Sequence, residues 1–337
     1  MLAGYLLRPG TVELREVPVP EPAQGEVLVK IKAALTCGTD LKAFLRGHPM
    51  IPMPGVFGHE FSGVIAATGK DVRRFRAGDE VMAVHSAPCL TCGYCRKKLY
   101  NLCENIMSSK VMGAFAEYIL LPPHIVKQNL FHKPGRLGFA EAALLEPLSC
   151  VVHGMSGLHI GRRDKALIIG TGPIGLLHLL LVKQKGAEAM IAGRGWERLE
   201  TAKKLGADRI VQASELKHSL EEFTGGLGAD FVFECTGQLE VWEASVNYAR
   251  RGGTVILFGG VKKDTVATYD TYRLHYDELT LKGTFHFTPR DVKAAYGLLK
   301  TPLNLSPLIS GKYSLEELPV ALDRLSKGDG IKYALIP

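Results

Sequence analysis

Apolar and polar residues alternate along several short stretches in the first part of the chain. Residues 26–33 are the clearest case, because apolar side chains recur there at every second position. Residues 55–64, 79–84 and 115–121 are also predicted as strands, and Gly and Pro turns separate them. Many short strands with such breaks are typical of a small β-barrel-like domain.

Apolar strands alternate with helices from residue 165 onward. After the continuous apolar run 165–169, further strands are predicted at 189–192, 209–212, 229–234, 254–258 and 279–284, and helices at 197–205, 215–223 and 240–249. This rhythm predicts an α/β fold with a doubly wound parallel sheet of the Rossmann type.

The last fifty residues do not extend this rhythm cleanly. Helices are predicted at 289–299 and 315–325, followed by a closing strand at 333–336. We therefore expect the chain to return to its first domain. His286, just beyond the sixth parallel strand, could face a cofactor or substrate, although a lone histidine is more often structural.

Composition excludes several classes of protein. The 337 residues suggest about two domains, and 46% hydrophobic with 22% charged residues is ordinary for a globular chain. No apolar run reaches the length of about 18 residues that a membrane span needs, and the start lacks a signal-peptide pattern, so we expect a cytoplasmic protein without a membrane partner. The net charge of +7 leaves room for a phosphorylated cofactor, but Lys and Arg are scattered and predict no nucleic-acid partner.

Four of the seven cysteines lie within fifteen residues of one another. They form the pattern Cys89-x-x-Cys92-x-x-Cys95-x7-Cys103, which can enclose one tetrahedral zinc ion and leave no open position. The alternatives are a redox-active cysteine pair and an iron–sulfur cluster. The spacing favours a structural metal site.

A second group of metal-binding residue types lies upstream. Cys37, His59 and Glu60 offer a thiol, an imidazole and a carboxylate, the ligand types of a catalytic zinc with one open position. The alternative is a buried thiol and a core histidine. In an extended strand, the hydroxyl of Thr39 would point to the same side as the sulfur of Cys37 and could pass a proton. Asp40 could hold the second nitrogen of His59, or could be a turn or cap residue.

A further carboxylate follows at the start of a predicted helix. Pro147 suits the first helical turn, which places the helix start near Glu146. Glu146, Cys150 and His153 then share one helix face. Glu146 is the candidate for an additional metal ligand or for a simple cap, whereas Cys150 and His153 are expected to pack.

A glycine-rich turn connects the strand at 165–169 to a helical apolar run. In this strand–turn–helix setting, G-x-G-x-x-G is a dinucleotide fingerprint. Gly170 makes the tight turn, Gly172 lets the backbone approach the pyrophosphate, and Gly175 allows close packing of the helix. The predicted cofactor loop is Gly170, Thr171, Gly172, Pro173, Ile174 and Gly175.

The end of the second parallel strand indicates which cofactor is bound. Sites for NAD place Asp or Glu there to hold the ribose 2′-hydroxyl, but this chain has Gly193 followed by Arg194. The missing carboxylate removes repulsion, and Arg194 can bind a 2′-phosphate, with Arg198 assisting. We therefore expect NADP to be favoured, the alternative being an exposed Arg194 and an enzyme that accepts either cofactor.

Taken together, these motifs resemble the zinc-dependent medium-chain dehydrogenases of the alcohol dehydrogenase superfamily. The run Gly58-His59-Glu60-x-x-Gly63-x5-Gly69-x-x-Val72 matches the zinc signature of that family in full. Glu146-Pro147-Leu148-Ser149 resembles the polyol (sorbitol-type) branch, and Cys37-Gly38-Thr39-Asp40 also resembles the threonine 3-dehydrogenases.

The resemblance implies a domain organisation and a zinc chemistry. It implies a GroES-like catalytic domain at 1–148 with a structural zinc lobe at 86–106, a Rossmann NAD(P)-binding domain at 149–287, and a return to the catalytic domain at 288–337. It also implies two zinc ions per chain, the catalytic one held by Cys37, His59 and Glu146, with Glu60 as a ligand or exchanging with water. The family usually forms homodimers or homotetramers.

The activity implied is hydride transfer between a secondary alcohol, polyol or sugar and NADP or NAD, with Thr39 relaying the proton. Alternatives are oxidation of an amino alcohol with NAD, as in the threonine 3-dehydrogenases, and a non-enzymatic nucleotide-sensing protein. Two departures concern the substrate. Lys42 stands where the relay often ends at a histidine, and the segment between Cys103 and Phe115 is short compared with polyol and threonine enzymes.

Overall fold

The computed structural model describes the whole chain, Met1–Pro337. It divides into two compact units, one formed by Met1–Val152 with His286–Pro337 and the other by His153–Phe285. None of its helices combines the length and apolar character needed to cross a membrane.

The first unit is mainly β-structure. Its strands are β1 (Leu2–Arg8), β2 (Thr11–Glu16), β3 (Val27–Leu35), β4 (Gly55–Val56), β5 (Glu60–Thr68), β6 (Glu80–Ala83), β7 (Tyr118–Leu121) and β8 (Leu130–His132), joined near the C-terminus by β15 (Ile309–Ser314) and β16 (Lys332–Ile336). Seven strands form one sheet in the order β15-β16-β3-β5-β6-β8, with β7 paired to β3. Because β16 pairs with β3, the end of the chain is part of the sheet built by its beginning.

Short helices complete this unit. They are α1 (Gly38–Arg46), α2 (Gly93–Arg96), α3 (Pro123–Asn129), α4 (Phe139–Ala142) and α5 (Leu145–Gly154), the last of which crosses the division between the units, followed after the second unit by α11 (Pro289–Leu299) and α12 (Leu318–Ser326). Phe57 and Phe115 meet edge to face in the core, with ring centroids 4.9 Å apart. Burial of one such side chain stabilises the folded state by roughly 1.5–3 kcal/mol. Phe57 and Phe115 belong to the apolar core on which the strands of this unit pack.

The second unit is a doubly wound parallel sheet. Its strands are β9 (Lys165–Ile169), β10 (Glu188–Gly193), β11 (Arg209–Gln212), β12 (Ala229–Glu234), β13 (Ala249–Leu257) and β14 (Thr280–Gly283), and its helices are α6 (Pro173–Gln184), α7 (Trp196–Lys204), α8 (Leu216–Thr224), α9 (Leu239–Ser245) and α10 (Thr271–Tyr276). The order β11-β10-β9-β12-β13-β14 is the Rossmann order, and every pairing is parallel. The predicted fold class is therefore confirmed.

Several predicted boundaries were wrong. The strand predicted at 55–64 is interrupted between β4 and β5. The helix predicted at 240–249 changes after α9 into a 3-10 turn at Val246–Tyr248, and Ala249 already belongs to β13. Strands β1, β2, β8 and β15 were not predicted. β8 has only three residues, and β2 and β15 have no buried residue, so their alternation of apolar and polar residues is weak. β1 is mostly apolar and therefore does not alternate.

Candidate active site

Cys37 caps the N-terminus of α1 and points its sulfur toward the helix. Its Sγ accepts a hydrogen bond from the backbone N–H of Thr39 at 3.5 Å. Thr39 belongs to α1, so the prediction that it follows Cys37 along an extended strand was wrong. Its half-buried side chain nevertheless lies in the first turn beside the sulfur-capped helix end.

His59 lies in the gap between β4 and β5, immediately before the sheet resumes. Gly58 has a φ of +87°, and a Cβ there would lie 2.8 Å from the Phe115 ring, so a glycine is needed to bring His59 to this position. His59 Nδ1 lies 3.3 Å from Asp40 Oδ1, and Asp40 is fully buried. This contact fits the predicted support of a metal-binding histidine by a carboxylate.

The imidazole of His59 is electrostatically matched to its negative neighbours. Burial alone would lower the pKa of His59, but the carboxylate of Asp40 and the sulfur of Cys37 outweigh it and raise the pKa well above its ordinary value. Both carboxylate oxygens of Asp40 are buried and make no well-aligned hydrogen bond. Such a cluster needs a positive charge.

Glu60 opens β5 and is tied to a residue that the sequence analysis missed. Lys332 Nζ, at the start of β16, donates to both carboxylate oxygens of Glu60 at 2.7 and 2.6 Å and to the carbonyl of Thr36 at 2.8 Å. Burial disfavours the charge of Lys332, but the Glu60 carboxylate outweighs it and raises the lysine pKa. Both oxygens of Glu60 are thus engaged by protein.

Glu146 occupies the first turn of α5, as predicted from Pro147. It is 5% exposed, and burial, partly offset by His59 and reinforced by the Glu60 carboxylate, raises its pKa to about 7. Its Oε1 lies 3.4 Å from His85 Nδ1 and accepts a weak bond from Cys150 Sγ at 3.8 Å. Burial raises the pKa of the Cys150 thiol well above its ordinary value, which fits the packing role expected for it.

His85 is the second residue that the sequence analysis missed. It follows β6 and is 7% exposed, with its ring 5.0 Å from that of His59 and 5.4 Å from that of His286. His286 in turn shares a hydrogen bond of 2.7 Å with the hydroxyl of Ser86 and stacks on Phe287 at 4.0 Å. No motif in the sequence marked His85, because its neighbours in space come from distant parts of the chain.

The residues around His59 fit a zinc ion. Ligand atoms of Cys37, Asp40 and His59 lie within 4.8 Å of one another, and so do those of His59, Glu60 and Glu146. Asp40, Glu60 and Glu146 are buried here, and the ammonium of Lys332 donates hydrogen bonds to Glu60 alone among them. A divalent cation accepts thiolate, imidazole and carboxylate together and would supply the missing charge.

The four clustered cysteines also fit zinc. Their sulfurs approach pairwise to 3.5, 3.9 and 4.0 Å, and none of the four forms a disulfide. Tetrahedral coordination with zinc–sulfur bonds of about 2.3 Å separates sulfurs by roughly 3.8 Å. A hydrogen bond from Thr91 lowers the pKa of Cys89 to about 5, so at least one thiolate is available at neutral pH.

The glycine loop joins β9 to α6 in the second unit. Gly170 has a φ of +118°, and a Cβ on Gly175 would lie 1.9 Å from the Gly170 carbonyl oxygen. A Cβ on Gly172 would meet nothing within 4 Å, so the backbone there is open to a ligand. Pro173 is the first residue of α6, and the partly exposed Ile174 follows it, so the helix N-terminus faces the loop as in a phosphate site.

The end of β10 places Gly193 beside the glycine loop. A Cβ on Gly193 would lie 2.4 Å from Thr171 Cγ2, so packing gives a reason for glycine at this position in addition to cofactor choice. Arg194 follows as an exposed residue, and Arg198 lies half-buried on α7. Both residues belong to the segment that begins at the carboxyl end of β10, where the predicted 2′-phosphate contact requires them.

Comparison with known proteins matches two family models. Residues 23–130 match the alcohol dehydrogenase GroES-like domain, and residues 173–301 match the zinc-binding dehydrogenase domain. The chain is 34% identical to D-altritol 5-dehydrogenase of Agrobacterium fabrum, covering 94% of each chain, and 30% identical to sorbitol dehydrogenase of Halalkalibacterium halodurans, covering 97% of this chain and 96% of the relative. It superposes on a zinc-binding dehydrogenase from Sinorhizobium meliloti 1021 bound to NADP with a TM-score of 0.89 at 30% identity, covering 100% and 99% of the chains.

Proposed function

Because the chain belongs to the zinc-dependent medium-chain dehydrogenases, we propose that it oxidises a polyol or a related secondary alcohol, with NADP as the favoured hydride acceptor. The observation that carries the proposal is a pair of ligand clusters that share the buried His59, one with Cys37 and Asp40 and the other with Glu60 and Glu146. Together they offer the thiolate, imidazole and carboxylate of a catalytic zinc site. Relatives that act on altritol and sorbitol support a polyol as substrate.

We assign Glu146, rather than Glu60, as the carboxylate ligand in the resting site. Both oxygens of Glu60 already accept hydrogen bonds from Lys332, and their release would leave a buried ammonium without its partner. Glu146 has only long contacts of 3.4 and 3.8 Å, which a metal ion can replace at little cost.

Each remaining residue then has a defined task. Bound at this site, zinc would act as a Lewis acid toward the substrate hydroxyl, and the nicotinamide would accept the hydride. Asp40 fixes the ring of His59 through Nδ1, which leaves Nε2 to face the metal. Thr39 accepts the hydroxyl proton of the substrate at its hydroxyl oxygen and passes its own proton on, while the carbinol hydrogen leaves with its electron pair. The relay of the family often ends at a histidine three residues after Thr39, and Lys42 occupies that position here, so the proton reaches solvent by a different route.

The NADP preference rests on Arg194 and on the absence of a carboxylate at Gly193. An acid at this place would repel a 2′-phosphate, whereas a guanidinium binds it with two hydrogen bonds. Arg198, one turn into α7, assists. The loop formed by Gly170, Thr171, Gly172, Pro173, Ile174 and Gly175 binds the pyrophosphate.

We also propose a domain organisation, an oligomeric state and a cellular compartment. Residues 1–148 with 288–337 form the catalytic domain, residues 149–287 bind the cofactor, and the lobe at 86–106 holds a structural zinc. The protein forms a homodimer or homotetramer, as is usual in the family. The seven free cysteines support a reducing compartment, which we take to be the cytoplasm.

Zinc analysis and a substrate panel test the proposal. We expect about two zinc ions per chain and oxidation of at least one polyol, faster with NADP than with NAD at equal concentration. The matched variant is Glu146→Gln, which should lose one zinc ion and the activity while retaining the other. One zinc ion in the wild type and no turnover of any alcohol would refute the dehydrogenase assignment.

A further inference from the structure

Thr171 and Gly193 pack against each other where two neighbouring parallel strands end. Thr171 follows β9 in the glycine loop and is 4% exposed, and Gly193 is the buried last residue of β10. A Cβ on Gly193 would lie 2.4 Å from Cγ2, 2.5 Å from Oγ1 and 2.9 Å from Cβ of Thr171. Carbon atoms in contact normally stay about 3.5–4.0 Å apart, so no side chain fits at position 193 beside this threonine.

Rotation of Thr171 does not relieve the conflict. Threonine carries two heavy atoms on Cβ, and they occupy two of the three staggered positions. Both occupied positions are now within 2.5 Å of the Cβ site on Gly193. Any other staggered rotamer leaves at least one heavy atom in one of these two positions, so the branched shape itself keeps the space filled.

The two backbones also cannot move apart freely. The N–H of Gly170 donates to the carbonyl of Ala192 at 2.8 Å, which ties the loop directly to the end of β10. On the other side of the loop, the carbonyl oxygen of Gly170 lies against α6, where a Cβ on Gly175 would be 1.9 Å from that oxygen. The loop is therefore held between the strand and the helix.

We propose that Thr171 is a specificity-determining residue for the cofactor. By excluding every side chain at position 193, it excludes the carboxylate that would hold the ribose 2′-hydroxyl of NAD, and so it reserves the place for a 2′-phosphate. This inference rests on the proposed NADP preference and adds a cause to it. A change of preference toward NAD requires changes at both positions, 171 and 193.

A double-mutant cycle in ligand binding tests this coupling. The variants are Gly193→Asp, Thr171→Gly and the two combined, and the probes are 5′-AMP and adenosine 2′,5′-bisphosphate, titrated by calorimetry at one salt concentration. The combined variant should bind 5′-AMP roughly tenfold more tightly than the wild type, because a carboxylate gains a hydrogen bond to the 2′-hydroxyl. It should also bind the bisphosphate roughly tenfold more weakly, because like charges then oppose each other.

Gly193→Asp alone should gain little affinity for 5′-AMP, because its side chain cannot reach its place beside Thr171. The matched control is Thr171→Val with Gly193→Asp, since valine keeps the branched shape and should behave like the single variant. If Gly193→Asp alone reverses the preference as fully as the combined variant, the inference is overturned. A reversal in the valine control would overturn it equally.

Thermal unfolding provides a second readout in case the aspartate variants fail to fold. Gly193→Ala adds only a Cβ and should lower the melting temperature, and Thr171→Gly in the same chain should restore much of the loss. Additive effects of the two substitutions would refute the steric coupling, since sites that do not touch are additive. A wild type that binds both probes alike would instead refute the NADP preference, an outcome distinguishable from failure of the coupling.

Discussion

Substitution of Lys332 by Met tests whether the Glu60–Lys332 pair supports the site. Lys332 and Glu60 have side-chain exposures of 1% and 0%, and the ammonium contacts both carboxylate oxygens at 2.7 and 2.6 Å. The third hydrogen bond of the ammonium goes to the carbonyl of Thr36 at 2.8 Å. Methionine fills a similar volume but leaves Glu60 without its counter-charge.

The expected cost follows from this burial. Removal of one partner of a fully buried ion pair typically costs about 3–5 kcal/mol, because the other charge remains in a medium that does not solvate it. Burial already raises the pKa of Glu60, with Lys332 opposing, so loss of the lysine raises it further. Proton uptake by Glu60 then limits the loss, and we expect the lower part of this range at neutral pH. The double variant Lys332→Met, Glu60→Gln should recover at least half of the lost stability, since no unpaired charge remains.

Urea unfolding followed by far-UV circular dichroism measures this effect. Tryptophan fluorescence would not report on this pair specifically, because Trp196 and Trp242 both belong to the second unit. Lys327→Met is the matched control, since Lys327 forms a pair of 2.7 Å with Asp323 on the surface, with side-chain exposures of 70% and 55%. Surface pairs contribute about 0–1 kcal/mol. Equal destabilisation by Lys332→Met and Lys327→Met would refute the reasoning.

Three further predictions concern other parts of the molecule. Gly175→Ala should weaken binding of 5′-AMP and of the bisphosphate at least roughly tenfold and leave zinc content unchanged, because the new Cβ would lie 1.9 Å from the Gly170 carbonyl and displace the loop. Cys95→Ser should lose about one zinc ion per chain and lower the melting temperature, because a closed four-thiolate site contributes to folding. Burial lowers the pKa of His178 to about 4, so the unfolded chain takes up its proton first as the pH falls. The free energy of unfolding therefore falls by about 3 kcal/mol as the pH drops from 6.5 to 4, and it is unaffected by this histidine above pH 6.5. His178→Leu should remove that pH dependence.

Each of these predictions has an outcome that contradicts it. For Gly175→Ala it is unchanged nucleotide affinity in the calorimeter, and for Cys95→Ser it is wild-type zinc content by atomic absorption. For His178 it is an unfolding free energy with the same pH profile as the wild type. His218→Leu is the matched substitution of an exposed histidine, since the His218 side chain is 80% exposed.

The periodicity of the sequence was sufficient for most of the second unit. The continuous apolar run predicted at 165–169 became β9 with the same bounds, because central parallel strands buried on both faces have continuous apolar sequences. The strands predicted at 209–212 and 229–234 also became β11 and β12 with the same bounds. Pro289 and Pro147 correctly placed the starts of α11 and α5, since proline fits the first turn of a helix. Periodicity was less informative in the first unit, where short strands leave few positions to establish a pattern.

The missed site residues share a physical reason. Lys332 and Glu60 are 272 positions apart, and only the pairing of β16 with β3 brings the lysine to the start of β5. His85 lies 3.4 Å from Glu146 although the two are far apart in the chain, and no local spacing encodes this contact. A lysine bordering the buried strand β16 was a signal that could have been used. A lysine is rarely buried without a partner of opposite charge. Lys332 therefore predicts an acidic neighbour, although the sequence does not say which one.

Gly193 shows why a residue can be recognised in the sequence and still be explained only in part. From the sequence, it marks the absence of the acid that an NAD site needs, and Arg194 gives that absence a purpose. In the folded chain, Thr171 fills the volume that any side chain at position 193 would need. A glycine required by packing would persist whichever cofactor is bound, so its presence alone supports NADP less strongly than the sequence suggested. The argument for NADP therefore depends on Arg194, and the 171–193 pair determines how readily that preference can change.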